Sequence, residues 1–192
     1  MTEAFNVLFE KGRALIPTDA DQALEIFEEA LALAASADDR LGTGKCHVQL
    51  SRVFSIKGAY IVAIRHANQG LEMAEFFGDQ ETLYHAYYSL GNIYAQLGNL
   101  EKGLDYYQKG LEICQVINAD AVKNYLNNMA VIYSKMGMLD RSLQTLLQAY
   151  ELSLKKPSAL TGFLASNIAE VYHKLDQNNL ALEYNEKAAS HL

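Results

Sequence analysis

Apolar, aromatic and small residues recur along the chain in a fixed order, which is clearest between Tyr87 and Leu111. The order is a large residue, a Leu-Gly pair, a tyrosine, a glycine, and then a small, a large and a small residue. These positions are filled by Tyr87, Leu90, Gly91, Tyr94, Gly98, Gly103, Tyr107 and Gly110. The spacing predicts two antiparallel helices joined by a turn at Gly98, because glycine suits the left-handed residue that ends a helix.

The same frame returns on both sides of this segment. Downstream it is filled by Leu126, Met129, Ala130, Tyr133, Gly137, Ser142, Leu146 and Ala149, and again by Ala165, Ile168, Ala169, Tyr172, Ala181 and Ala188, with Asp176 in place of the turn glycine. Upstream it is filled by Leu50, Ser51, Phe54, Gly58, Tyr60, Ala63 and Gly70, and a degenerate first copy keeps Ala23, Leu24, Phe27 and Ala30. The aromatic anchors Phe54, Tyr94, Tyr133 and Tyr172 are 40, 39 and 39 residues apart, which indicates an internal repeat.

This frame resembles the tetratricopeptide repeat family, in a variant with 39–40 residues per repeat instead of the usual number of about 34. The resemblance covers residues 4–189 and implies an all-α fold, a right-handed α-α superhelix of about five helix-turn-helix repeats. We place the repeats at residues 4–38, 44–78, 84–118, 123–157 and 162–192, within a single domain of residues 1–192. The longer repeat is similar to that of bacterial signalling regulators. At the repeat boundaries, Asp79, Asp120 and Ser158 are predicted helix N-caps.

In this family the first helix of each repeat lines a concave groove. Carried over residue by residue, the resemblance implies a peptide-binding groove formed by Lys45, Arg52, His85, Tyr88, Asn92, Gln96, Asn124, Asn127, Lys135, His173 and Lys174. Neighbouring groove positions are Val48, Ser55, Ile56, Ala95, Val131, Ser134, Phe163, Ser166 and Glu170, and the first repeat would offer Phe5, Leu8, Leu15 and Ile16. Asn128 and Asn167 fall one position outside the groove, so we interpret them as packing or inter-helix hydrogen-bonding residues.

The predicted groove carries four cations against one carboxylate, a net charge of +3, in a chain with a net charge of −7. A basic groove favours an acidic segment or a free carboxylate in the partner. The alternative is ordinary surface charge on solvated helix faces. The carboxylate clamp known in the family is matched only in part: Asn92 occupies a matching place and Arg52 lies one repeat earlier, but Val131 and Glu170 stand where the clamp needs polar or basic groups. Asn92, Asn124 and Asn127 instead suit contacts with a peptide backbone, since an amide both donates and accepts.

Other chemistry is not predicted. The acidic chain has no Lys/Arg cluster for nucleic acid, and no apolar run of about 18 residues or signal peptide. Its five histidines and two cysteines form no metal-binding pattern, and residues 41–45 only partly match a phosphate-binding loop. We therefore expect no enzyme, no cofactor and no metal. Cys46 and Cys114 lie far apart in the sequence, which favours a reduced, cytoplasmic setting.

Two functions fit this pattern. The first is a protein-binding or peptide-binding scaffold. The alternative is the sensor or regulatory part of a larger bacterial signalling protein with a catalytic or DNA-binding output domain. The helix predicted from about Asn179 carries Leu180, Leu182, Tyr184 and Ala188, so we expect one open apolar flank. Repeat arrays usually end in a polar capping surface, so either the natural chain continues past Leu192 or this flank forms a homodimer.

Overall fold

The structure is a computed structural model that describes residues 2–191, and this part of the chain contains ten α-helices and no β-strand. The helices are α1 Glu3–Leu15, α2 Ala20–Ser36, α3 Arg40–Ile56, α4 Tyr60–Phe77, α5 Gln80–Gln96, α6 Leu100–Ile117, α7 Ala119–Lys135, α8 Leu139–Leu154, α9 Ala159–Lys174 and α10 Asn178–Ala189. The predicted all-α class is confirmed. The predicted domain limits, residues 1 and 192, lie outside the described residues.

Each predicted repeat corresponds to one pair of consecutive helices joined by a short turn. The pairs are α1–α2, α3–α4, α5–α6, α7–α8 and α9–α10. The first helices of the later pairs begin at Arg40, Gln80, Ala119 and Ala159, three to four residues before the repeat starts placed from the sequence. The start was misplaced because the frame marks the middle of each first helix and not its N-cap.

The chain divides into two compact units, Met1–Ile113 and Cys114–Leu192. In the first unit, Ile16 at the C-cap of α1, Phe27 of α2 and Leu50 of α3 belong to one buried apolar cluster. A second cluster joins Phe5 of α1 to Cys46 of α3. Helices from neighbouring pairs therefore share a core, as expected when one repeat is too small to bury its own apolar face.

The second unit has its own core, with buried side chains on all four of its complete helices, α7 to α10. Leu126, Leu146 and Ile168 are almost fully buried there, one on each of α7, α8 and α9. The hydroxyl of Ser142 on α8 donates to the carbonyl of Ala130 on α7 at 2.8 Å. The small residues at these two positions allow the helices to approach closely.

The turns follow the predicted chemistry. Gly58, Gly98 and Gly137 have φ angles of 74°, 79° and 76°, the left-handed region that favours glycine. Asp176, at the equivalent place after α9, has the same type of backbone with φ 57°. The turn-glycine prediction is confirmed, and the last repeat makes this turn with a less suitable residue.

Two of the three predicted N-caps are confirmed. The side chain of Asp79 accepts from the backbone N–H of Thr82 at 2.8 Å, and Ser158 forms a capping box with Thr161. The prediction for Asp120 is wrong, because Asn118 caps α7 by accepting from the N–H of Ala121 at 3.3 Å. Asp120 lies in the first turn of α7, where a carboxylate still interacts favourably with the helix dipole.

The predicted open flank on α10 is only partly present. Ala188 is buried, and the ring of Tyr184 packs against the rings of Tyr150 and Tyr172 at centroid distances of 5.9 and 5.6 Å. Leu180 and Leu182 are exposed, at 37% and 62% of their surface. Residues two apart in a helix point in directions about 200° apart, so these leucines do not form one apolar stripe.

Candidate functional site

Four of the predicted groove residues line one cleft in the first unit. We name it the Arg52 cleft. It is lined by Arg52, Ser55 and Ile56 of α3, Tyr60 of α4, and Tyr88, Ser89, Asn92 and Gln96 of α5, and its volume is about 390 Å³. The first helices of the second and third repeats form its two walls. They present one face each, because residues three and four apart lie on the same side of a helix.

Among the described residues, Arg52 is the one ionised side chain that lines this cleft. Its Nη1 donates to Oε1 of Gln49 at 2.8 Å, a neutral partner one turn earlier in α3. Burial lowers the pKa of Arg52, and the positive charge of Arg13 acts in the same direction, against the influence of Tyr88. A partly desolvated cation with a neutral partner is the electrostatic setting in which an added anion stabilises a site.

The polar groups in the wall of the Arg52 cleft differ in whether they already form hydrogen bonds within the protein. Oδ1 of Asn92 accepts from the hydroxyl of Tyr107 on α6 at 2.5 Å, which fixes the orientation of the amide. The hydroxyl of Ser89 is 2% exposed and has no hydrogen-bond partner among residues 2–191. A buried hydroxyl without a partner is costly, so a ligand group that reaches it would gain from the contact.

A second cleft, of about 130 Å³, lies on the N-terminal side of the first unit. We name it the N-terminal cleft. Its lining comes from Phe5, Asn6, Phe9, Glu10 and Arg13 of α1, Lys45, Val48 and Gln49 of α3, and Glu81, Thr82 and His85 of α5. Lys45 and His85 from the predicted groove meet here. Burial, followed by the charges of Arg52 and Arg13, lowers the pKa of His85 to about 4, so this imidazole is neutral near pH 7.

Of the four groove residues predicted for the first repeat, Phe5 lines the N-terminal cleft, and the prediction is wrong for Leu8, Leu15 and Ile16, which line none of the described clefts. Phe5 and Ile16 are buried in the two apolar clusters, and Leu8 and Leu15 pack against those clusters. The true register follows from Gly12, where a Cβ would be 2.8 Å from Cζ of Phe27. Gly12 is thus the close-approach residue of the first pair, as Gly91 is of the third. The face of α1 toward the N-terminal cleft carries Asn6, Phe9, Glu10 and Arg13.

A third cleft lies in the second unit and has a volume of about 260 Å³. We name it the Val131 cleft. It is lined by Val131, Ser134 and Lys135 of α7, Ser142 and Leu146 of α8, and Asn167, Glu170, Val171 and Lys174 of α9. The predicted residues Lys135 and Lys174 meet here. Nζ of Lys174 contacts Oε1 of Glu170 at 2.6 Å and donates to Oγ of Ser134 at 3.0 Å.

The sequence profile described as "Tetratricopeptide repeat" matches residues 18–75 and 82–155. This chain belongs to the tetratricopeptide repeat family. The match covers more than half of the chain and includes the walls of the Arg52 cleft. No curated protein sequence matches the chain. The family is generally a non-catalytic scaffold that binds proteins or peptides.

Solved structures show the same fold. BtubC from P. vanneervenii matches this tetratricopeptide repeat chain with a TM-score of 0.81 and 20% identity, over 98% of this chain and 78% of BtubC. A Rap protein complexed with Competence and Sporulation Factor matches with a TM-score of 0.82 and 12% identity, over 97% of this chain and 54% of the Rap chain. PilF of Pseudomonas aeruginosa matches with a TM-score of 0.76 and 14% identity, over 99% of this chain and 77% of that one.

Three predicted residues of this repeat protein lie elsewhere. His173 lines a cleft near α10, and its Nδ1 is 3.0 Å from Oδ1 of Asn178. Oδ1 of Asn127 accepts from Nδ2 of Asn167 at 2.8 Å, so the inter-helix role predicted for Asn167 is confirmed. Asn167 also lines the Val131 cleft, although the sequence frame placed it outside the groove. Asn124 is half-buried on α7 and lines none of the clefts described above.

The charge of the predicted groove is smaller than the sequence suggested. Asp79, which the groove positions did not include, lies 3.9 Å from Lys45. Glu170 pairs with Lys174. Arg52 and Lys135 form no ion pair within the part of the chain that the structure describes. Among the predicted groove residues, the positive charges without an ion pair are therefore those of Arg52, in the Arg52 cleft, and Lys135, in the Val131 cleft.

The structure also tests the other kinds of site considered from the sequence, namely a phosphate-binding loop, reactive cysteines, a metal site and a membrane-spanning helix. The segment of residues 41–45 lies within α3, so it forms a helix and not a phosphate-binding loop. Cys46 and Cys114 are buried and unbridged, and burial raises their thiol pKa values to about 12 and about 11. Residues 2–191 contain no cluster of three or more His, Cys, Asp or Glu suited to a metal ion. A membrane-crossing helix would need a longer apolar stretch than any described helix provides.

Proposed function

We propose that this tetratricopeptide repeat chain is a binding scaffold whose Arg52 cleft holds a carboxylate of a peptide or protein segment. One observation carries the proposal. The cleft brings Arg52, Tyr88, Asn92 and Gln96 together around a partly desolvated guanidinium, and no Asp or Glu carboxylate of residues 2–191 lines it. The family binds proteins or peptides in general, and the cleft chemistry adds the kind of group that would be bound.

The physical basis is the match between a guanidinium and a carboxylate. Arginine presents a planar set of N–H donors that fits the two oxygens of a carboxylate, and such charge-assisted bonds are stronger than neutral ones. The bond from Arg52 to Gln49 holds the guanidinium in place before a ligand arrives. Less side-chain freedom is then lost on binding. The hydroxyl of Ser89 adds a buried hydrogen-bonding group to the same wall.

The proposal includes no catalytic step. Acid–base or nucleophilic catalysis needs titratable groups that converge on one cavity. Besides Arg52, the described lining of the Arg52 cleft consists of two tyrosines, two serines, two amides and one isoleucine, and it contains no histidine, cysteine or carboxylate beside the tyrosines. We place the chain in the cytoplasm as part of the same proposal, since both cysteines are buried and neither forms a disulfide bond within residues 2–191.

The test uses two pools of short fluorescent peptides with the same randomised sequence. One pool has acidic residues and a free C-terminal carboxylate, and the other has the corresponding amides. We expect the carboxylate pool to bind on the order of tenfold more tightly by fluorescence anisotropy, and Arg52→Gln to remove that preference. Arg65→Gln, on the exposed face of α4, is the matched control and leaves the preference unchanged. Equal binding of the two pools would contradict the proposal.

A second proposal is that the chain is the sensor part of a larger signalling protein. It is favoured by the match to the Rap protein complexed with Competence and Sporulation Factor, of which this chain spans about half. The mass of the polypeptide made by the native source tests it. A mass well above 21.4 kDa would support an attached output domain, and a mass equal to that value would support a separate scaffold.

A further inference from the structure

The Arg52 cleft and the Val131 cleft occupy equivalent places in different repeats. Arg52, Ser55 and Ile56 on the first wall correspond in the repeat frame to Val131, Ser134 and Lys135. On the second wall, Ser89, Asn92 and Gln96 correspond to Asn167, Glu170 and Lys174. The fold thus builds the same cleft twice, once in each unit, and the side chains at matching positions decide what each cleft accepts.

The central position of the cleft changes from cationic to apolar between the two. Val131 replaces the arginine, and its side chain is 37% exposed. Leu146 and Val171 continue the apolar lining below it, at 1% and 3% exposure. Of these three apolar lining residues, Val131 therefore supplies nearly all of the solvent-exposed surface.

The rim of the Val131 cleft is polar and carries a positive excess. Lys174 is paired with Glu170, while Lys135 has no ion-pair partner within residues 2–191. The net charge of the three ionised groups is therefore +1, the same as that of the Arg52 cleft. Nδ2 of Asn167 is used by Asn127, which holds this amide in a fixed orientation at the cleft wall.

We infer that the Val131 cleft is a specificity pocket for an aliphatic side chain that is flanked by an acidic residue in the bound peptide. The aliphatic group packs on the exposed surface of Val131, and the neighbouring carboxylate pairs with Lys135. Burial of apolar surface drives the first contact, and charge complementarity sets which sequences are accepted. This inference deepens the proposed peptide-binding function by naming a second recognition element, and it assigns Val131 as the residue that determines the side-chain preference.

The test is a methyl-group NMR titration of the full chain with two defined peptides, acetyl-Asp-Leu-Asp-amide and acetyl-Asp-Ser-Asp-amide. The methyl signals of Val131 and Val171 report on the Val131 cleft, and the methyl signals of Ile56 report on the Arg52 cleft. We expect the leucine peptide to shift the two valine signals with an affinity on the order of tenfold higher than the serine peptide. Both peptides contain carboxylates, so both should shift Ile56 to a similar extent if the proposed function is correct.

Two variants test whether Val131 determines the preference for the leucine peptide. Val131→Asp should abolish the advantage of the leucine peptide, because it places a charge where the apolar group would lie. Val131→Ile keeps the apolar surface and should retain the advantage, which covers the case in which the aspartate variant is misfolded. Equal shifts of Val131 and Val171 with both peptides, or no shift with either, would overturn the inference. Shifts at the valines without shifts at Ile56 would refute the carboxylate proposal for the Arg52 cleft and leave the aliphatic pocket standing.

Discussion

Gly91 on α5 faces the ring of Tyr107 on α6 so closely that a Cβ at position 91 would lie 2.5 Å from Cδ1 and Cε1 of that ring. The hydroxyl of the same tyrosine donates to Oδ1 of Asn92, the next residue of α5 and a lining residue of the Arg52 cleft. The packing of the third helix pair is therefore linked directly to the orientation of a cleft side chain.

Gly91→Ala should destabilise the chain by about 1–3 kcal/mol, because the added methyl group displaces the ring of Tyr107 in a closely packed interface. Urea unfolding followed by circular dichroism measures the change. The double variant Gly91→Ala with Tyr107→Ala is the control, since removal of the ring leaves room for the methyl group. Its cost should be smaller than the sum of the two single costs. Strictly additive costs would show that the two residues do not clash.

Tyr107→Phe should lower the free energy of unfolding by about 1 kcal/mol, because it removes a part-buried hydrogen bond and leaves the ring in place. Tyr106→Phe is the matched control on the same helix, since the hydroxyl of Tyr106 has no hydrogen bond within the described residues. In the peptide-pool assay, Tyr107→Phe should also weaken binding of the carboxylate pool, because Asn92 loses the hydrogen bond from the Tyr107 hydroxyl. An unchanged affinity with reduced stability would limit the role of Tyr107 to packing.

The helix pairs and their turns were predictable from the sequence because single residue types mark them. Glycine is required where the backbone is left-handed, as at Gly98, and small residues are required where helices touch, as at Gly91. Because these constraints act locally, the same residue types recur at a regular spacing along the sequence. The positions that form the Arg52 cleft follow from the same frame, because they lie on one face of each first helix.

The errors have a different origin. The register of the first repeat was missed because Lys11 and Leu15, on either side of Gly12, stand where the other four copies have a large apolar residue and an aromatic anchor. The pairing of Lys45 with Asp79 joins α3 to the start of α5, and a frame that counts only first-helix faces does not include the N-cap. The burial of Tyr184 depends on tyrosines from two other helices, α8 and α9. Contacts that depend on several helices at once produce no fixed spacing of residues in the sequence, so the spacing does not predict them.

Asp176→Gly should raise the free energy of unfolding by up to about 1 kcal/mol, because Asp176 adopts a left-handed backbone that disfavours residues with a Cβ. The reciprocal variant, Gly137→Asp, introduces the same strain at the equivalent turn of the previous repeat and should destabilise by about 1 kcal/mol. Thermal unfolding of the two variants and of the parent chain measures both changes in stability. Opposite signs are expected, and a destabilising Asp176→Gly would mean that the carboxylate makes a favourable contact at the turn.

Acid should destabilise the second helix pair through His47 and His66. Nδ1 of His47 lies 2.9 Å from Nδ1 of His66, so one ring donates and the other accepts, and the ring of Phe54 stacks on His66. Burial and then His66 lower the pKa of His47 from 6.5 to about 4, and burial and then Arg65 lower the pKa of His66. A lowered histidine pKa means that the unfolded chain binds protons first. The stabilisation is complete above pH 6.5 and is lost as the pH falls toward 4.

Urea unfolding at a series of pH values between these limits measures this effect through the slope of stability against pH. His47→Phe removes the group with the larger shift, so the slope should become smaller, although His85 still contributes in the same direction. His173→Gln is the control, because that imidazole is exposed and lies in the other unit. Its slope should equal that of the parent chain. A slope that His47→Phe leaves unchanged would show that the acid sensitivity arises from His85 or from the carboxylates, and not from the histidine pair.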